Sequence, residues 1–230
     1  MFLIIGMAGN VIPFYLISYG EINVGSGLAA LLMSITPIAT VFLAPLILLD
    51  EGYNIRATLG IILGVIGLII LVGTDVILGI GDNLTAQIAI IIAALLYAFT
   101  TIFVKRFVVE KPIIMASGSM LVGTIVIILI TLVLDHPTTY IIPSSASLIA
   151  MIYLGIFPTA LATLIYFYLL PRIGASRMSQ INFLVPLVGV FIGVALMGET
   201  LRVTAFYALV IILVAIYLVT SGQKIKRFDK

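Results

Sequence analysis

Eight apolar stretches, parted by connectors that carry nearly all the charge, constrain this chain more than any single motif in it. They run from Phe2 to Tyr19, Gly27 to Leu48, Ala57 to Gly73, Ala86 to Val104, Ile113 to Leu134, Leu148 to Leu170, Arg177 to Gly198 and Val203 to Thr220. Each is close to the ~20 residues that a helix needs to cross about 30 Å of hydrocarbon. Lipid offers a backbone amide no partner, so each stretch must satisfy its own hydrogen bonds, as an α-helix does. With 63% hydrophobic and 9% charged residues, and a mean hydropathy of +1.37, the chain lacks the polar surface of a soluble domain. The predicted fold is an all-α polytopic membrane protein solvated by the lipid bilayer, with no linker or second soluble domain.

Charge fixes the sidedness. Threading the connectors alternately collects Arg56, Lys105, Arg106, Lys111, Arg172, Arg177, Lys224, Lys226, Arg227 and Lys230 on one side, leaving only Arg202 on the other. Cationic residues in short loops stay in the cytoplasm. Both Met1 and Lys230 are therefore expected there, with Glu21, Asp75, Asp82, Asp135 and Glu199 on the opposite face. A miscounted span would have scrambled this segregation.

The chain also repeats itself. Gly6, Tyr19, Gly25 and Pro37 return as Gly155, Tyr168, Gly174 and Pro186, each at an offset of 149 positions, and each copy runs on to a Glu, Glu51 or Glu199. The copies begin at the first and sixth spans, and five crossings reverse direction. The repeat is inverted, which is a signature of secondary transporters that hold their substrate between pseudo-symmetric halves near the midplane. The plainer possibility is a duplicated membrane scaffold with no transport role.

Several function classes are disfavoured. A net charge of +2 is too small to argue for nucleic acid, and without cysteine there are no disulfides or thiolate metal sites. No span carries a central carboxylate, an Asp pair, a Ser/His or Ser/Lys set or a His-Glu-x-x-His cluster. No catalytic residue, metal or cofactor is expected. His136, next to Pro137, reads as a solvated loop residue.

The neutral polar residues inside the spans are the candidate substrate contacts. Thr159, Thr163 and Tyr166 recur at i, i+4 and i+7 in the sixth span, and Ser179, Asn182, Pro186, Gly189 and Gly193 share a face of the seventh. Asn10 and Phe14 do so in the first span, Ser34 and Pro37 lie close on the second, and Tyr97 and Thr101 pair on the fourth. Together they are expected to line a cavity, although such residues also simply join helices. Asn10, Tyr97, Tyr166 and Asn182 stand out, because their larger polar groups need partners in an apolar setting.

Pro37, Pro158 and Pro186 each remove a backbone donor and read equally well as hinges or as static kinks. Gly60, Gly64 and Gly67 give the third span a surface for close helix contact, within the monomer or in a homodimer. Glu51 and Glu199 stand just before the third and eighth spans, where a negative charge favours a helix amino terminus. Lys224 to Lys230 form a basic cytoplasmic tail that touches anionic headgroups. The first span has no basic n-region and continues the repeat, so it is not read as a cleaved signal peptide.

The segments Leu154 to Ala162, Ile173-Gly174-Ala175-Ser176, Pro186 to Gly189 and Gly198-Glu199-Thr200, with Ser26 to Ala29, Pro37 and Glu51 in the first three spans, resemble the EamA-like family of the drug/metabolite transporter superfamily. The resemblance implies ten membrane helices in two inverted five-helix units. Residues 1–73 then correspond to the last three helices of the amino-terminal unit, 86–221 to a complete carboxy-terminal unit and 222–230 to the tail, with two helices expected ahead of Met1. It further implies a secondary transporter of the inner or plasma membrane that exports a small metabolite by alternating access. The neutral lining favours an amino acid, an amine or a neutral amphiphile over a phosphorylated substrate, since no Lys or Arg lies deep in a span.

Overall fold

The computed structural model describes residues 1–73, 75–134, 143–197 and 203–222. His136, Glu199, Arg202 and the tail from Lys224 onward lie outside them, as do the side chains of Gly189 and Gly193. Eight long apolar helices follow in order: α1 (Phe2–Glu21), α2 (Ser26–Ile47), α3 (Ile55–Val72), α4 (Leu84–Phe107), α5 (Pro112–Val133), α6 (Ser145–Ile173), α7 (Ala175–Ile192) and α8 (Val203–Ser221). These are the eight expected spans, and among the described residues every regular element is helical. A single turn, Asp75–Leu78, interrupts the connector between α3 and α4.

Local chemistry sets the helix ends. Asn54 Oδ1 accepts from the Arg56 amide at 2.8 Å and caps α3, and the Ser144 hydroxyl accepts from the Ser147 amide at 3.2 Å and caps α6. Gly73 (φ +104°) and Gly174 (φ +90°) terminate α3 and α6 in a conformation that disfavours other residues.

Two helices carry a π-helical turn, α1 at Met7–Val11 and α6 at Gly155–Leu161. Shifted back by the repeat offset of 149 positions, the α6 turn falls over residues 6–12, so the two distortions are pseudo-equivalent. Proline accounts for both. Pro158 lies inside the α6 turn and Pro13 follows the α1 turn; each lacks an N–H, and a π turn redistributes the carbonyls thus freed. In α6 the Thr159 hydroxyl donates to the Leu154 carbonyl at 2.8 Å. Pro37 is buried just after a break in α2 at Ser34, and Pro186 lies inside α7.

Glycine sets the helix contacts. A Cβ on Gly60 would lie 2.7 Å from the Ala215 carbonyl oxygen, one on Gly64 2.7 Å from the Phe183 ring and one on Gly67 2.7 Å from Ile212. The glycine face of α3 is thus occupied within the chain, by α8 and α7. Residue numbers rise along α3 as they fall along α8, so these third members of the two repeats pack antiparallel, as inversion requires. In α1, a Cβ on Gly6 would come 2.8 Å from the Ser119 carbonyl oxygen of α5, and one on Gly20 2.5 Å from Ile90 of α4. Gly155, the counterpart of Gly6, has nothing within 4 Å among the described residues. The half of α6 from Ser145 to Leu161 is exposed along its length.

The connector of α2 to α3 behaves otherwise than its position suggests. Glu51 does not serve the amino terminus of α3, which Asn54 already caps. It is buried instead against α7, where its carboxylate accepts from the Ala175 amide at 2.5 Å, the Ser176 amide at 3.1 Å and the Ser176 hydroxyl at 2.6 Å. Beside it, Asp50 pairs with Lys105 at 2.8 Å, and Lys105 also donates to the Pro171 carbonyl at 3.0 Å. These contacts gather the ends of α2, α4 and α6 and the start of α7 at one end of the bundle, here called the basic end.

Candidate functional site

Between the two repeats lies a cavity of about 590 Å³, within the range of small-molecule sites. It is walled by α1, α4, α6 and α7, with Thr36 of α2. Toward the basic end its floor is a buried apolar cluster that includes Ile5, Ile102, Val104, Phe167, Leu170 and Met178. Among the described residues no Asp, Glu, Lys, Arg or His contributes to the wall.

Eight of the predicted contacts meet on this wall: Asn10, Phe14, Tyr97, Thr101, Thr163, Tyr166, Ser179 and Asn182. Phe14 stands half out of the protein, at the rim. Tyr166 donates to Thr101 Oγ1 at 2.9 Å, and Thr101 donates to the Tyr97 carbonyl at 2.7 Å. This chain ties α6 to α4 within the carboxy-terminal unit and fixes the Tyr166 ring, which packs edge-on against Phe167. The Ser179 hydroxyl donates back to the Ser176 carbonyl at 3.0 Å.

Ser34 and Thr159 are placed elsewhere. Ser34 is buried, and its hydroxyl turns back to the Leu31 carbonyl at 2.6 Å, where α2 breaks. Thr159 lies within the π turn, whose extra residue rotates it away from the face that carries Thr163 and Tyr166; its hydroxyl is spent on Leu154. Of the three prolines, Pro158 is part of the wall.

The wall also includes polar residues that spacing alone did not single out. Thr36 donates to the Ala94 carbonyl at 3.0 Å. The Thr100 hydroxyl is buried with no partner among the described residues, so it is a polar handle available to a ligand. Because α4 is packed on several sides, no amphipathic stripe distinguishes Thr100 from Thr101. Under the repeat offset, Gly9 matches Pro158, Phe14 matches Thr163 and Thr36 matches Val185, and all six border the cavity. The site lies on the pseudo-symmetry relation, yet its chemistry is asymmetric. Such a site can bind and orient a neutral or zwitterionic molecule through hydroxyl, amide and aromatic groups.

Comparisons with known proteins agree with this architecture. The profile of the EamA-like transporter family matches residues 1–73 and 84–221. The chain is 29% identical over 209 residues to the inner membrane transporter YedA of Escherichia coli strain K12, which is described as uncharacterized. That match covers 87% of this chain and 64% of YedA, so the chain spans somewhat under two thirds of that relative's length. It is 26% identical to a "Probable amino-acid metabolite efflux pump" of Salmonella typhimurium strain LT2, over 88% of this chain and 70% of the pump. A crystal structure superposes with a TM-score of 0.78 at 15% identity, over 95% of this chain and 76% of the other, which shows a shared fold. With eight spans, an inverted repeat and a family profile that matches most of its length, the chain is a multi-pass membrane protein that belongs to the EamA-like transporter family.

Proposed function

We propose that this chain forms the core of a secondary transporter that moves a small neutral or zwitterionic metabolite, an amino acid, an amine or a neutral amphiphile, outward by alternating access. The cavity between the inverted repeats carries this reading. It has the volume of a metabolite site, and its hydroxyl, amide and aromatic lining suits polar but uncharged contacts. A phosphorylated substrate would need cationic partners that no described residue of this wall provides. The efflux-pump relative supports both the amino-acid class and the outward direction. The cationic residues of the basic end support a cytoplasmic position for it, and the YedA match supports the inner or plasma membrane as the site.

The exposed half of α6 is proposed as the seat of two further helices. Its counterpart α1 is covered by α4 and α5, and the same two-helix unit, carried over by the repeat, would fill the open space beside Gly155. Reconstitution of the gene with its upstream coding sequence into proteoliposomes, followed by counterflow of amino acids and amines, tests the reading. Saturable flux of one such class is expected. No flux for any of them, together with stably co-purifying proteins, would favour a scaffold instead.

A further inference from the structure

Two helix starts, after Gly174 and after Gly25, are related by the repeat. At the basic end, α7 begins after Gly174, and Glu51 reaches it from the other repeat to accept the three hydrogen bonds from Ala175 and Ser176. A Cβ on Gly174 would lie 2.8 Å from Glu51 Oε1, so the carboxylate fills the space that glycine leaves. At the other end, Gly25 is the counterpart of Gly174. Among the described residues nothing lies within 4 Å of it, no side chain caps the first turn of α2, and Ser26 is exposed; Glu199, the counterpart of Glu51, lies outside those residues.

Glu51 is not needed by its own helix, because Asn54 caps α3. Among the described residues, its hydrogen bonds all run to the other repeat. Ser176 links it to the cavity, since the Ser179 hydroxyl on the wall donates to the Ser176 carbonyl at 3.0 Å and the Gln180 amide donates to the same atom at 3.0 Å. The apolar cluster that floors the cavity includes Ala175 and Met178 of the same turn. A carboxylate on helix amides favours the closed arrangement electrostatically. Near the membrane surface both partners can be taken up by water when they part, so the contact is reversible, unlike apolar packing.

We infer that Glu51 is a positioning residue for transport, a latch that holds the basic end of the cavity shut until it leaves Ala175 and Ser176. This assignment rests on the alternating-access reading, but its test measures exposure and not flux. Because the chain has no cysteine, Ser179→Cys gives a single reporter on the cavity wall. Its labelling by a membrane-impermeant maleimide is followed from each face of oriented vesicles, with Glu51 intact and in Glu51→Ala, Glu51→Asp and Ser176→Ala backgrounds.

With Glu51 intact, labelling from the basic face is expected to be slow. Glu51→Ala should raise that rate by about tenfold, on the order of one charge-assisted hydrogen bond. Ser176→Ala, which removes one of the three bonds, should raise it less, and Glu51→Asp should restore part of the block. Unchanged labelling from the basic face in monodisperse Glu51→Ala protein would overturn the latch. An equal rise from both faces would also overturn it, since that signals general loosening. Absence of flux with the one-sided shift preserved would count against the transport reading and leave the latch standing.

Discussion

Gly6 and Gly155 occupy equivalent places in the two repeats and have opposite surroundings. The first sits 2.8 Å, measured from an added Cβ, from the Ser119 carbonyl oxygen, and the second has no described residue within 4 Å. Backbone cannot retreat from a methyl as a flexible side chain can. Gly6→Ala should therefore destabilise the bundle by about 1–3 kcal/mol, the usual cost of overpacking. Gly155→Ala should stay within about 0.5 kcal/mol. Unfolding of the detergent-solubilised chain by SDS titration checks both. If a two-helix unit covers α6, adding it should raise the cost of Gly155→Ala toward that of Gly6→Ala.

The antiparallel contact of α3 with α8 predicts a similar effect in a different place. Gly60 lies against the Ala215 carbonyl, with an added Cβ at 2.7 Å, so Gly60→Ala should cost about 1–3 kcal/mol. Gly52, in a connector with nothing within 4 Å of an added Cβ, should tolerate the same change within about 0.5 kcal/mol. The comparison is read from melting temperatures in detergent.

Tyr166 and Thr101 form the polar tie across the cavity wall. Hydrogen bonds between membrane helices average about 0.6 kcal/mol, so Tyr166→Phe and Thr101→Val should each lower stability by about that much. A double-mutant cycle should show coupling of similar size, because both changes remove the Tyr166–Thr101 bond, while Thr101→Val also removes the bond to the Tyr97 carbonyl. Additive losses would mean that the two side chains act independently.

Asn10 and Asn182 line the cavity from different repeats. If their amides contact the substrate, Asn10→Leu and Asn182→Leu should each lower transport by at least about tenfold, equivalent to about 1.4 kcal/mol, with helicity retained. Measured by flux and circular dichroism on the same preparation, this separates binding from folding. Ser34→Ala, on a residue turned back onto its own helix, should leave flux within about twofold.

Much of the fold was legible because lipid imposes its demands residue by residue. Span length, the clustering of Arg and Lys, and the odd number of crossings between Gly6 and Gly155 need no tertiary information. Most of the cavity residues could also be read, since Asn, Tyr and Thr are costly in apolar helices and tend to converge. Thr159 was misplaced because a regular 3.6-residue period cannot anticipate the π turn around Pro158, which rotates everything before it. Glu51 was read against the nearest helix start, but Asn54 had taken that role, and its true partner lies more than a hundred residues away. Thr100 was missed because a helix packed on several sides shows no polar stripe to separate it from Thr101.

The central claim, that the cavity between the repeats is the transport path, is tested most directly by thiol block at Asn182. In a chain with no native cysteine, Asn182→Cys in the reconstituted transporter is treated with a bulky maleimide, with and without excess transported amino acid or amine, and flux is measured afterwards. The account predicts that modification abolishes flux and that substrate slows both labelling and inhibition. Stoichiometric labelling that leaves flux unchanged would contradict it.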